Sequence, residues 1–314
     1  MKKRTKIIAF TLSMALMATC IAGCDSSTDT KKDIVTSDNS DNENTNSENG
    51  NDNADNGNDS STDKQSQSTP TINEQVLLDQ DGIKITATEY TTDSIWGDGI
   101  KLLVENNSQT DYTIGCDALI VNDYMITDLF SADVAAGKKS NETMYLSSSE
   151  LEAAGIDTVG KLEMYFHAYD SSYNNIFKNV YSEIQTSEYA NMDTTPNDAG
   201  TELYNQNGIK IVGKTVDENS FWGTAILLYI ENTSGENVEI NVDNMSVDGF
   251  MLSPIFSTTV YNGKKAIDDI TLLQSDLEEN NITSIDQVEL QFHIINAETY
   301  TTITDTDAIT FSAK

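Results

Sequence analysis

The chain has 314 residues, with 51 acidic against 18 basic side chains and a formal net charge of −33 at pH 7. So acidic a surface repels phosphate backbones and anionic headgroups, which argues against nucleic acid as a partner and against direct adhesion to a lipid surface. Three cysteines and two histidines leave little material for a disulfide framework or a histidine-based metal centre.

In chain order, the basic MKKRTK is followed by the apolar run IIAFTLSMALMATC and the small residues IAG before Cys24, the layout of an export signal over residues 1–24. The run is shorter than the ~20 apolar residues a membrane-spanning helix needs. Ile21, Ala22, Gly23 and Cys24 resemble the lipobox of bacterial lipoproteins, which implies lipidation at Cys24 and anchoring on the extracellular face of the cell membrane. Loss of Lys2, Lys3, Arg4 and Lys6 with the signal makes the mature chain still more acidic.

Residues 25–73, with DNSDNENTNSENGNDNADNGNDSSTDKQSQS at their centre, are almost free of large apolar side chains. Such a stretch cannot bury enough surface to offset the entropy of ordering, and is expected to be a disordered acidic linker that lifts the folded part off the membrane. Its DNADNG lacks the closing glutamate of an EF-hand, so no calcium loop is expected.

Beyond the linker the chain repeats itself. SIWGDGIKLLVENNS at 94–108 returns as SFWGTAILLYIENTS at 220–234, and the same 126-residue offset carries Phe130 onto Phe256 and His167 onto His293. Two homologous domains are expected, at 74–189 and 201–314, with 190–200 around Pro196 as a hinge. Each repeats a full set of elements and is expected to fold independently.

Within each copy the apolar period is two, as in Leu162, Met164, Phe166 and Ala168 alternating with Glu163, Tyr165, His167 and Tyr169, which predicts half-buried strands. QDG, QNG, VND and VDG supply tight hairpin turns, so neighbouring strands are expected to run antiparallel. Ser149-Glu150-Leu151-Glu152 and Ser275-Asp276-Leu277-Glu278 read as capping boxes opening short helices that Gly155 and Asn281 stop. Short strands with one minor helix describe an all-β chain of two tandem immunoglobulin-like β-sandwich domains, each with a short helical insert.

The strand ends VENNS and IENTS, the hairpins VNDYM and VDGFM, the turns AAGKK and YNGKK, and SSSELEAAGI with QSDLEENNI resemble a functionally uncharacterised immunoglobulin-like domain family. Its members occur singly or in tandem on lipoproteins of low-GC Gram-positive bacteria. The resemblance spans roughly residues 74–314 and implies a fold and a surface location, with no assigned active site.

The chain's two tryptophans, Trp96 and Trp222, are equivalent positions and are expected to anchor the cores, the alternative being exposed aromatic platforms for a binding partner. Lys138-Lys139 and Lys264-Lys265 are paired cations at equivalent turns; they read as solvated turn residues, or as a hold for an anionic group. His167 and His293 have no HExxH, GxSxG or CxxC beside them, so no catalytic residue, metal or cofactor is expected. Cys116 aligns with Val242 and reads as a small apolar substitute. The expected function is that of a membrane-anchored surface lipoprotein displaying two binding or accessory modules for an envelope protein or wall polymer. The alternative is an acidic cation-binding or structural spacer, for which Glu142, Asp268 and Asp269 would gather on one surface.

Overall fold

Four hairpin turns set the register of the fold. Asp81-Gly82, Asn122-Asp123, Asn207-Gly208 and Asp248-Gly249 all hold both central residues at positive φ, the two-residue geometry whose twist matches antiparallel strands. A computed structural model describes residues 31–36, 69–93, 96–127, 129–220 and 223–313, and these described residues belong to one compact unit.

The described elements are β1 (Lys31–Thr36), β2 (Gln75–Gln80), β3 (Ile83–Asp93), β4 (Gly97–Asn106), β5 (Tyr112–Val121), β6 (Tyr124–Ile126), β7 (Ser131–Val134), β8 (Lys139–Tyr145), α1 (Ser148–Ala154), β9 (Lys161–Asp170) and β10 (Asn175–Gln185). They continue as β11 (Thr201–Gln206), β12 (Ile209–Ser220), β13 (Gly223–Asn232), β14 (Val238–Val247), β15 (Phe250–Met251), β16 (Ser257–Val260), β17 (Lys264–Leu273), α2 (Gln274–Glu279), β18 (Gln287–Asn296), β19 (Thr302–Asp305) and β20 (Ile309–Ala313). The protein is therefore mostly β-strand.

In the first half, β2-β3-β4-β8 form one sheet, and β10-β9-β5-β6 face it as the start of a second. Ile83, Ile85, Ile100, Leu102, Met164 and Phe166 are fully buried between them, the last two on the alternating positions the sequence marked. A second core forms in the second half around Ile211, Leu228, Ile240, Leu290, Phe292 and Phe311.

The repeated VENNS and IENTS have a definite task. Asn106, fully buried, donates its side-chain amide to the carbonyls of Thr110 and Val134 and accepts from the backbone N–H and hydroxyl of Ser108. Asn232 does the same with Glu236, Val260 and Ser234. One buried amide per half thus satisfies backbone groups that the loop would otherwise bury unpaired.

Neither short helix opens with a capping box: Ser147 and Leu273 occupy the N-cap positions and make no side-chain bond to a helix N–H. α1 starts ahead of the expected cap Ser149, and Glu150, three residues after the actual N-cap Ser147, spends its carboxylate on Thr127, accepting from its N–H at 2.7 Å and its hydroxyl at 2.6 Å. Gly155 does close α1, in the left-handed conformation.

Two expectations need correction. Residues 31–36 of the expected linker are a strand, β1, whose Lys31, Lys32 and Asp33 pair with β12 while Ile34, Val35 and Thr36 pair with β20. Linker composition missed it because a single well-placed isoleucine suffices when the acceptor supplies the rest of the core. Residues 69–73 also join the first half: Ser187 N–H donates to the Thr71 carbonyl, and Ile72 packs on the first core. The remainder of the linker lies outside the described residues.

The expected hinge is pinned as well. Asn197 donates its N–H to the Tyr124 hydroxyl and its side-chain amide to the Ala153 carbonyl, while Lys214 donates to the Asn197 carbonyl. Nor are the two halves separate cores. β6 pairs with β17, the one parallel pairing among the described strands, with Lys265 opposite Tyr124 and Ala266 opposite Met125. Tyr124, Ala154, Val212, Tyr229 and Ile267 form a third buried cluster at this joint, and Ala118, Ile120 and Met125 pack into the second core.

Candidate functional site

Lys264, at the head of β17, reaches into the first half. Its ammonium donates to Asp123 at 3.0 Å and to Glu163 at 2.7 Å, and Lys161 donates to the same two carboxylates at 2.9 and 2.7 Å. The four charges alternate around a closed ring. Burial acts to raise Asp123, but the hydrogen bonds and charges of Lys161 and Lys264 outweigh it and hold its pKa at about 2. Burial lowers both lysines, yet the two carboxylates prevail and raise them.

Lys265 sits 4.7 Å from the Tyr124 ring centroid and donates to the Thr194 carbonyl. The turn lysines of the second half are therefore spent on the joint, against the reading that they are solvated or hold an anionic ligand. Their first-half counterparts differ: Lys138 is exposed, and Lys139 pairs with Glu105 at the sheet surface.

Trp96 overturns the core-anchor expectation, for it is 60% exposed. Its ring lies 6.0 Å from that of Tyr145, itself 39% exposed, and the Trp96 backbone N–H donates to the Asp93 carboxylate. β3 and β4 pair out to Asp93 and Gly97, and β8 brings Tyr145 opposite Gly99. A Cβ at Gly99 would meet the Met144 carbonyl, Thr143 and the Tyr145 ring, so glycine there lets β8 and that ring lie close on β4. Trp222 and Cys24 lie outside the described residues.

The histidines pair with carboxylates. His167 Nδ1 meets Asp117 at 2.8 Å, and His293 Nδ1 meets Asp305. Asp117 also accepts the Asn179 N–H; burial acts to raise it, while these hydrogen bonds prevail and lower it. Acyl transfer would need a nucleophile at the other ring nitrogen. At His167 that position faces Gly115, whose missing side chain lets the imidazole lie flat on β5. Asp117 thus orients the ring and ties it to the backbone of β10 at Asn179.

The acidic cluster expected on one surface does not assemble. Asp268 is held by Thr258 and the Asp269 N–H, and burial raises its pKa, whereas Glu142 lies on β8 of the first half beside Ser140. Glu150 is the acid that joins Asp268 and Asp269: burial, opposed by the Thr127 bonds and aided by those two carboxylates, raises it to about 7. Beside it a groove of about 430 Å³ runs between α1 and β12–β13, with Glu152, Asn197, Lys214 and Asp217 on its walls. Among the described residues no group of three His, Cys, Asp or Glu is placed to hold a metal ion.

Sequence reasoning missed Asp123, Lys161, Glu163 and Tyr145. A signal was present in the differences between copies: Asp123 and Lys161 align with Gly249 and Gln287, and Tyr145 with Thr271, so the joint and the aromatic pair belong to one half alone.

No family model and no curated protein matches the chain. Among solved structures it is similar to the Salmonella enterica SafA pilin in complex with the SafB chaperone, at 12% identity and a TM-score of 0.23, over 75% of this chain and 98% of that one. A likeness at that level carries no inference about activity.

Proposed function

We propose that the protein is a lipid-anchored surface lipoprotein whose two immunoglobulin-like modules act as one rigid binding or accessory unit, without catalysis. The anchor rests on IAGC and the basic-apolar segment before it. The observation that supports binding is the exposed Trp96–Tyr145 pair: a large aromatic area outside the core, on paired strands, fits a polymer or protein surface that stacks on rings. The partner fitting this site is an envelope protein or wall polymer, reached from the extracellular face of the membrane.

The joint changes how two modules would serve. With β6 paired to β17, the second half acts as a fixed support for the first, in place of a second arm on a flexible hinge. Retention of envelope components on the immobilised chain tests this reading. Wild-type protein is expected to retain a component that Trp96→Ala loses while keeping its melting temperature. Equal retention by both removes the aromatic site from the proposal.

A further inference from the structure

β1 closes the seam between the two sheets of the second half, yet it comes from far away in the chain. Its first three residues extend the edge of β12 beyond the point where β11 stops, at Thr201 opposite Gly213, and its last three cross to β20. Without it, the edges around Thr215–Asp217 and Phe311–Ala313 would be open to an added strand.

One side chain fixes the register. Ile34 is 3% exposed and enters the second core. Gly213 makes its pocket: a Cβ there would stand 2.8 Å from Ile34 Cδ1 and 3.2 Å from Leu203 Cδ1. Lys32 adds a 2.7 Å ion pair with Glu218, and the Thr201 hydroxyl donates to the Ile34 carbonyl.

The first half explains why a distant segment is used. There the residues just before β2 close the seam, with Thr71 bonded to Ser187 beyond β10 and Ile72 on the core. The 126-residue offset places Asn197 at the position of Thr71. Asn197, however, is drawn into the joint by Tyr124 and Ala153. The second half's own closing segment is thus committed elsewhere, and its seam must be filled from outside.

We propose that this seam is a strand-acceptor site, that residues 31–36 are its built-in ligand, and that the same segment of a second copy fills it when the chain's own strand is withdrawn. Residues 37–74 join β1 to β2, in the other half, so covalent connection does not dictate which copy's segment enters. In a single copy the attached segment competes at an effective concentration on the order of millimolar, which favours self-filling in dilute solution.

Two variants of the chain from residue 25 onward separate donor from acceptor. Ile34→Asp puts a charge where the core needs an apolar side chain, leaving the acceptor open; Gly213→Val fills the pocket and leaves the donor free. Each alone is expected to elute as a monomer in size-exclusion chromatography, and their mixture as a one-to-one dimer. A labelled peptide of residues 28–39 is expected to bind Ile34→Asp roughly tenfold or more tighter than wild type, whose own segment competes. Should Ile34→Asp fail to fold alone, recovery of a cooperative melt on adding the peptide supports the site. Failure of the peptide to bind or rescue overturns the proposal, as does absence of a mixed dimer at protein concentrations where the peptide binds.

Discussion

Lys264 of the second half and Glu163 of the first are joined at 2.7 Å, with the Glu163 side chain only 5% exposed. A carboxylate so placed depends on its cations, Lys264 and Lys161, because removal of either leaves charge poorly compensated away from water. The joint is therefore an electrostatic as well as an apolar structure.

Lys264→Ala is expected to destabilise the protein by about 2 kcal/mol, between the values for exposed and fully buried pairs. A double-mutant cycle with Glu163→Gln checks it, and additive effects would show that the two residues are not coupled. Asp123 adds a pH signature. Its folded pKa lies below its unfolded value, so the stability it contributes is present above about 3.8 and is lost as pH falls through about 2. Acid unfolding of Asp123→Asn should lack that component.

Glu150 behaves in the opposite sense. Its folded pKa of about 7 lies above the ordinary 4.5, so the folded state retains a proton that the unfolded state releases. Stability should fall as pH rises from about 4.5 to about 7, and Glu150→Gln should flatten that fall. Melting temperatures of both proteins across this range decide the matter.

The exposed position of Trp96 predicts a small cost for its removal: Trp96→Ala should destabilise by less than about 1 kcal/mol, far from the ~3–5 kcal/mol of a buried tryptophan. Chemical denaturation followed by circular dichroism measures it. A loss in the higher range would mean the ring is packed in solution.

Asn106→Ala and Asn232→Ala should each cost about 2 kcal/mol, since each takes the amide donor from a buried carbonyl, that of Val134 or Val260, while the Thr110 and Glu236 carbonyls keep the hydroxyls of Ser108 and Ser234. Equal losses at the two sites would reflect their identical hydrogen bonds; a near-neutral result at either would mean that water replaces the amide.

For the anchor, Cys24→Ala is expected to move the protein from the membrane fraction to the soluble one. A multi-chain lipid, at about 0.8 kcal/mol per buried CH₂, should hold the wild type through a salt wash. Mutant protein retained in membranes at the wild-type level would rule out lipidation at this residue.

What the sequence made legible was local. Alternation in KLEMYFHAY located the buried face of β9, and the Asn and Asp residues before glycine located three of the hairpins, because period and turn chemistry are properties of a few neighbouring residues. The capping-box reading failed in phase, since α1 and α2 open at Ser148 and Gln274, ahead of the expected caps Ser149 and Ser275, and at the actual third position Thr127 offered Glu150 a partner that a local pattern cannot include. Trp96 was misplaced because an aromatic before a strand reads the same whether its ring turns in or out. The joint and β1 were invisible because each depends on residues far apart in the chain, Asp123 with Lys264 and Ile34 with Gly213, and such pairs leave no periodic trace.

The attachment of β1 also sets the path that mechanical load would follow. If Cys24 is lipidated as proposed, six residues separate β1 from the anchor, and tension from a partner gripping the first half would run across the β6–β17 joint, through the second half and out along β1. That route is noncovalent at two places. If β1 yields under tension, residues 31–68 enter the line between anchor and cargo, each adding at most about 3.3–3.6 Å. A sharp pull would then be answered by extension of the tether while both cores stay folded, and the strand could return to its pocket once the force is gone.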